Sequence, residues 1–217
     1  MTQSIVPNLN NVKNIWSKYL TKPGQKFSFI YGLIYLVVVL IILPIFLQFI
    51  EQRTGAILND PILELFNPLD LTWLTFALIY GCLIIAVLYL FEKPELLRAA
   101  IFTYSITVTF RIVVMYLLPL EPPAQMIPLN DPFVQFFGSG EILTKDLFFS
   151  GHTSTLFILF LITESKPLKN IFLTATVLVA IFVVLQHVHY TVDVIAAPFF
   201  AYTSLRIFKV IQNNSKD

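Results

Sequence analysis

Two short polar islands interrupt an otherwise apolar chain: Ser150-Gly151-His152-Thr153 and, 36 positions further on, His189-Tyr190-Thr191-Val192-Asp193. An ionisable side chain near a bilayer is costly unless it is used, so such residues are functional candidates by default. Two imidazoles and a carboxylate are a sufficient set for phosphoryl transfer: a nucleophile, a group that orients it and an acid for the leaving oxygen. His189 and Asp193 are four apart and share a face if the segment is helical; if a turn intervenes they can still meet. A carboxylate that accepts one imidazole N–H fixes the tautomer and leaves the other nitrogen as the nucleophile. His152 follows Ser150-Gly151 at an expected helix start, where glycine allows close backbone approach and free N–H groups cradle phosphate. Protonated, it would donate to the leaving oxygen. Arg111 adds a fixed cation suited to bidentate phosphate contact. His152, His189 and Asp193 are therefore the candidate catalytic residues. Arg111, Ser150, Gly151, Asp146 and Tyr190 are the candidate substrate contacts. The chemistry they suggest is that of a membrane enzyme acting on a phosphate ester.

A lone histidine in a membrane helix is most often half of an interhelical hydrogen bond; two of them with an aspartate on one side call for another explanation. His187, two residues from His189, should point elsewhere and serve packing. Three histidines and an aspartate lack a compact ligand motif such as His-Glu-x-x-His, so no metal and no other cofactor is expected.

The elements that must position these groups are membrane helices. The chain of 217 residues is 57% hydrophobic and 12% charged, against about 25% charge in soluble domains, and its mean hydropathy is +0.78. The net charge of +1 carries no nucleic-acid signal. Cys82 is the one cysteine, set in an apolar run, so no disulfide framework is expected. A span needs about 20 apolar residues. Six segments are read this way: Phe27–Ile50, Leu69–Phe91, Pro94–Leu120, Ser150–Thr163, Leu168–Tyr190 and Thr191–Ile211. Pro44 and Pro198 fall inside the first and the sixth. The expected organisation is a cytoplasmic segment at 1–26, a six-helix catalytic domain at 27–211 and a tail at 212–217. Residues 1–26 are polar, with weak amphipathicity around Ile15, Trp16, Tyr19 and Leu20, and do not read as a cleavable signal.

Eleven of the fourteen basic residues fall in the loops, tails or adjoining span ends of one side, against Arg53 and Lys145 on the other and Arg111 deep within the third span. This asymmetry predicts cytoplasmic termini and puts both polar islands on the opposite, exoplasmic or periplasmic side. There the 121–149 segment, rich in Pro, Gly and aromatics, fits a cap over a site. Phe136 and Phe137 in that cap, with Phe148, Phe149 and Tyr190, would keep the site dry.

At these residues the chain resembles the sphingomyelin synthases. Asp146-Leu-Phe-Phe-Ser-Gly-His-Thr153 is similar to their third signature motif, and Gln186-His-Val-His-Tyr-Thr-Val-Asp-Val-Ile195 to their fourth. Phe110-Arg-Ile-Val-Val-Met-Tyr-Leu-Leu-Pro119 is similar to the second, and Asp60–Trp73 more loosely to the first. The resemblance spans about residues 28–211. It implies an all-α, six-helix enzyme of the type-2 phosphatidic acid phosphatase superfamily, with a triad of His152, His189 and Asp193. The second histidine would take a phospho-headgroup from a glycerophospholipid and pass it to ceramide, releasing diacylglycerol. The implied partners are membrane lipids: a phospholipid donor and a ceramide or diacylglycerol-type acceptor. Headgroup, acceptor and homo-oligomeric state stay open. The family's Cys-Gly ahead of the third-motif aspartate is here Thr144-Lys145. The alternative is a lipid phosphate phosphatase that uses the same triad with water as acceptor. Its signature Lys-x6-Arg-Pro and the Ser-Arg before the second histidine are missing, which favours the diester transferase.

Overall fold

The computed structural model describes residues 9–129 and 143–214. Those residues form seven α-helices: α1 Leu9–Thr21, α2 Gln25–Glu51, α3 Thr72–Phe91, α4 Pro94–Leu117, α5 Gly151–Ile162, α6 Lys166–Leu185 and α7 Thr191–Asn214, with a short 3-10 turn at Leu63–Leu65. Helices α2, α3, α4, α6 and α7 are long and apolar enough to cross a membrane. This is the architecture of a multi-pass membrane protein. Their outward faces are lined with exposed Ile, Leu, Val and Phe, most densely on α2, as lipid contact requires. Pro94 and Pro167 stand in the first turns of α4 and α6, where a missing N–H costs nothing.

Helix α5 differs from its expected form. It has 12 residues, about 18 Å of helix, where a hydrocarbon core measures about 30 Å. It begins at the Ser150 cap and stops before Glu164-Ser165-Lys166-Pro167. It packs against α3, α4, α6 and α7 at the centre of the bundle, with Leu156 and Ile158 fully enclosed. It is about 12 Å shorter than α3, and its second residue, His152, packs beside Phe76, one turn into α3.

A second departure is the end of the fifth expected span. The expected span runs to Tyr190, but α6 stops at Leu185 and residues 186–190 turn back into α7. His187 takes a left-handed backbone conformation there (φ 56°). No glycine or proline marks the break in residues 185–190, so the sequence does not announce where the helix ends.

The helix ends gather into two polar layers. One holds α1, whose apolar face is spent on the bundle: Val12 and Tyr19 are buried, and Trp16 donates to the Phe91 carbonyl (2.8 Å) and packs edge-on to Phe29. Lys22–Glu95 (3.1 Å) and Lys93–Glu164 (3.6 Å) pair in the same layer. The opposite layer is built from the 52–71 segment, residues 118–129 and 143–150, and the 186–190 turn. Ala56 and Leu120 pair as an isolated bridge, and a side chain at Gly55 would run into the Leu120 backbone. Ile127 exchanges bonds with Gln186, main chain to main chain (3.1 Å) and Gln186 Nε2 to the Ile127 carbonyl (3.1 Å). The middle of the expected cap, including Pro132, Phe136, Phe137, Gly138 and Gly140, lies outside the described residues.

Candidate active site

Local capping sets the first half of the site. Tyr190 precedes α7, and Asp193 in the first turn reaches back so that its Oδ2 accepts the Tyr190 N–H (3.1 Å), the carboxylate half of a capping box. The same oxygen meets Nδ1 of His189 at 3.2 Å. His189 is therefore held by Asp193 across a turn rather than along one helix. Both side chains are buried, at 2% and 0% exposure. Gln186, fully buried one turn earlier, takes the Leu71 N–H on its Oε1 (3.1 Å) and donates to Thr72 Oγ1 (2.9 Å). It ties the turn to the start of α3.

The second half is the start of α5. Ser150 caps it, its Oγ accepting from Thr153 N (3.4 Å) and Thr153 Oγ1 (3.1 Å), while its own N–H donates to the Asp193 carbonyl (3.1 Å). That last bond couples the two polar islands directly. Arg111 of α4 is buried; its Nε donates to the Phe149 carbonyl (3.2 Å) and its Nη2 pairs with the Asp146 carboxylate. A Cβ at Gly151 would fall inside the contact distance of that guanidinium. Glycine here lets Arg111 keep its place beside Asp146, a reason distinct from phosphate approach. The ring of His152 sits edge-on to Phe76, centroids 6.0 Å apart.

Residues 144–146 are clamped from outside. Glu51, at the end of α2, accepts from Thr144 N (3.0 Å), Thr144 Oγ1 (2.5 Å) and Lys145 N (3.0 Å). Lys145 donates to the Arg53 carbonyl (2.6 Å) and pairs with Glu121 (3.0 Å). Thr144-Lys145, where the resemblance breaks, are thus the residues that grip the rest of this layer.

Asp146, His152 and His189 converge on one cavity of about 50 Å³, walled also by Met126, Leu129 and Val188. That is room for about three to five water-sized volumes. Asp193 stands behind His189, and Arg111 behind Asp146. Ser150 is committed to the helix cap. Tyr190 faces the other way: its hydroxyl accepts from Leu58 N (3.3 Å) and donates to the Glu121 carbonyl (3.0 Å), and with His187 it lines a separate cavity of about 700 Å³ bordered by Asp60, Glu64 and Phe66. Among the described residues no group of His, Cys, Asp and Glu side chains could hold a metal ion.

The electrostatics outside the spans follow these contacts. Burial pushes the Asp146 carboxyl up, but the Arg111 guanidinium and the two histidines more than offset it, and its pKa lies below the ordinary carboxylate value. Asp60 is also lowered: burial raises it, but the bonds from Thr191, Ile62 and Leu63 together outweigh that. Glu121 is lowered by the Gly55 N–H and Lys145. His187 is lowered by burial.

Residues 145–212 match the PAP2 superfamily C-terminal family. No curated protein matches the chain. The matched stretch covers about a third of the sequence, from Lys145 through α5 and α6 into the last turn of α7, and holds both polar islands. It supports the type-2 phosphatidic acid phosphatase superfamily for this part of the chain. Arg111, Glu51 and the 52–71 and 118–129 segments, Asp60 among them, lie outside it. Glu51 and Asp60 give little sign of themselves in the sequence because their partners are 93 to 131 residues away. Their one local signal is a carboxylate at the edge of an apolar run.

Proposed function

We propose that the chain is a phospho-headgroup transferase of membrane lipids, with six helices in the bilayer, α5 being the short one. His189 is the nucleophile. Its Nδ1 is engaged by Asp193, which leaves Nε2 to attack the phosphorus of a glycerophospholipid. The P–O bond to diacylglycerol breaks, and protonated His152 gives its proton to that oxygen. A primary hydroxyl of a ceramide-like acceptor then attacks the same phosphorus. His152 takes the hydroxyl proton, the P–N bond breaks and His189 is restored. Arg111, with Asp146 in front of it, sets the charge of the pocket. The convergence of Asp146, His152 and His189 on one small cavity, with Asp193 behind the second histidine, carries this reading, and the family match supports it.

Hydrolysis of a phosphate monoester by the same residues is the alternative that the superfamily keeps in view. Charge favours the diester. A diester carries one negative charge, whereas a monoester approaches two at neutral pH. Among the described residues no guanidinium lines the cavity; Arg111 stands behind Asp146, which already draws on it. The basic asymmetry of the loops supports cytoplasmic termini and a site on the exoplasmic or periplasmic side. The test is mass spectrometry of lipids after incubating purified protein with ceramide and headgroup-labelled donors. The expected result is a diester sphingolipid and diacylglycerol in equal amounts. Rapid loss of phosphate from phosphatidic acid, with no diester product, would establish the phosphatase instead.

A further inference from the structure

The residue that fixes the start of α7 comes from the far side of the chain. Thr191 is the first residue of α7, and its N–H is one of the donors that a helix cannot satisfy internally. Asp60, in the 52–71 segment, accepts that N–H on Oδ2 (2.6 Å) and the Thr191 hydroxyl on Oδ1 (3.2 Å). A carboxylate is the group the positive end of the helix dipole favours. Asp60 is itself held: its Oδ1 accepts from Ile62 N (3.1 Å) and its carbonyl from Leu63 N (3.1 Å). Two residues earlier, Leu58 N bonds to the Tyr190 hydroxyl (3.3 Å). One short loop thus grips both Tyr190 and Thr191, which lie between His189 and Asp193.

We propose that Asp60 is a positioning residue for the His189–Asp193 pair. It touches neither imidazole. It sets the angle at which α7 leaves the turn, and with it the direction in which His189 meets the small cavity. A small displacement of a reacting group costs rate far more than it costs binding, so the contribution belongs in kcat. The bonds from Thr191, Ile62 and Leu63 together outweigh its burial and lower its pKa, so the carboxylate is ionised and the clamp present at neutral pH.

Two measurements test this, one of which stands apart from catalysis. Hydrogen exchange on purified Asp60→Ala should rise across residues 188–195 while exchange in α3 and α4 stays as in the parent. In the headgroup-transfer assay, and resting on the transferase reading above, Asp60→Ala should lower kcat roughly 10- to 100-fold with KM within about threefold. Asp60→Asn keeps an oxygen for Thr191 N and should recover part of that loss. Thr191→Val should cost a few-fold alone and nothing further in the Asp60→Asn background, because both remove one interaction. If Asp60→Ala does not fold, Asp60→Asn and the double variant decide the question in its place. Unchanged exchange at 188–195, a loss confined to KM, or additive effects of the two substitutions would overturn the proposal. Looser exchange in a protein whose parent transfers no headgroup would sustain the clamp and refute the transferase reading.

Discussion

Arg98 and Arg111 stand on one helix, thirteen residues and about 20 Å apart, and both are buried. Their surroundings differ. Arg98 donates to Ser28 Oγ (2.8 Å) and lies 5.6 Å from the centre of the Phe208 ring. No ion pair to it is present among the described residues. Arg111 meets a carboxylate, a backbone carbonyl and a glycine that leaves it space, beside a cavity shared by two histidines. Burying a guanidinium is costly at either place. At the α1 end the cost is met by an aromatic face and a hydroxyl, groups that hold the helix ends together. At the opposite end the partners are arranged around empty space. A buried charge marks a site when its neighbours leave room for something else.

The largest expected effect falls at that second end. His189→Ala should reduce headgroup transfer by about a thousandfold or more, since loss of a nucleophile leaves only binding and electrostatic assistance. Measured by transfer of labelled headgroup, anything less than a tenfold loss would remove the basis for separating the two ends. Arg111→Lys should come next. It keeps the charge but loses the fork that spans Asp146 and the Phe149 carbonyl, and transfer should fall about 10- to 100-fold. Arg98→Met is its counterpart: kcat per folded molecule should stay within about twofold, any change appearing in thermal midpoint alone. Equal losses for the two arginines would break the comparison. Gly151→Ala sharpens it further. The added methyl meets the Arg111 guanidinium and should cost about 1–3 kcal/mol in thermal unfolding, as overpacking does.

The smallest effect is in pH. Asp60, Glu121 and Asp146 have pKa values below the ordinary ones. The stability they contribute is therefore intact above about pH 4 and is lost only as pH falls through the lowered folded values. His187 is also lowered, but it is a base that the fold holds neutral. Its contribution is whole above about 6.5, the unfolded value, and declines as pH falls below that toward the folded one. Thermal midpoints between pH 7.5 and 5 should thus show a shallow decline, and His187→Asn, which tolerates the left-handed backbone, should flatten it. A midpoint insensitive to pH in the parent would contradict this assignment.

Much of the framework is legible in the residues themselves. Runs such as 27–50 and 69–91 are apolar over lengths that little else explains, and Ser150 before Gly151 reads correctly as a helix start. Other features hide for physical reasons. The turn at 186–190 is polar in sequence and yet buried, and neither glycine nor proline marks where the helix ends, so its exact start is not legible. The left-handed conformation falls on His187, where no glycine announces it. Gly151 is recognisable as special, yet its reason is a side chain on another helix, which spacing along the chain does not encode. The carboxylates of Glu51 and Asp60 act across roughly a hundred residues or more, and their partners are backbone N–H groups and threonine hydroxyls, which nothing in the local sequence links to them. Local polarity locates the groups that could react. What aims them is tertiary.

The central claim is that His189, oriented by Asp193, carries the phospho-headgroup. Purified protein is incubated briefly with a phospholipid labelled in its phosphate, quenched in alkali and digested, and the labelled peptide is sequenced by mass spectrometry. The expected result is an acid-labile, base-stable adduct on His189 that disappears when a ceramide acceptor is added and is missing from His189→Ala. An adduct on His152, or lipid turnover with no histidine adduct at any time after mixing, would contradict it.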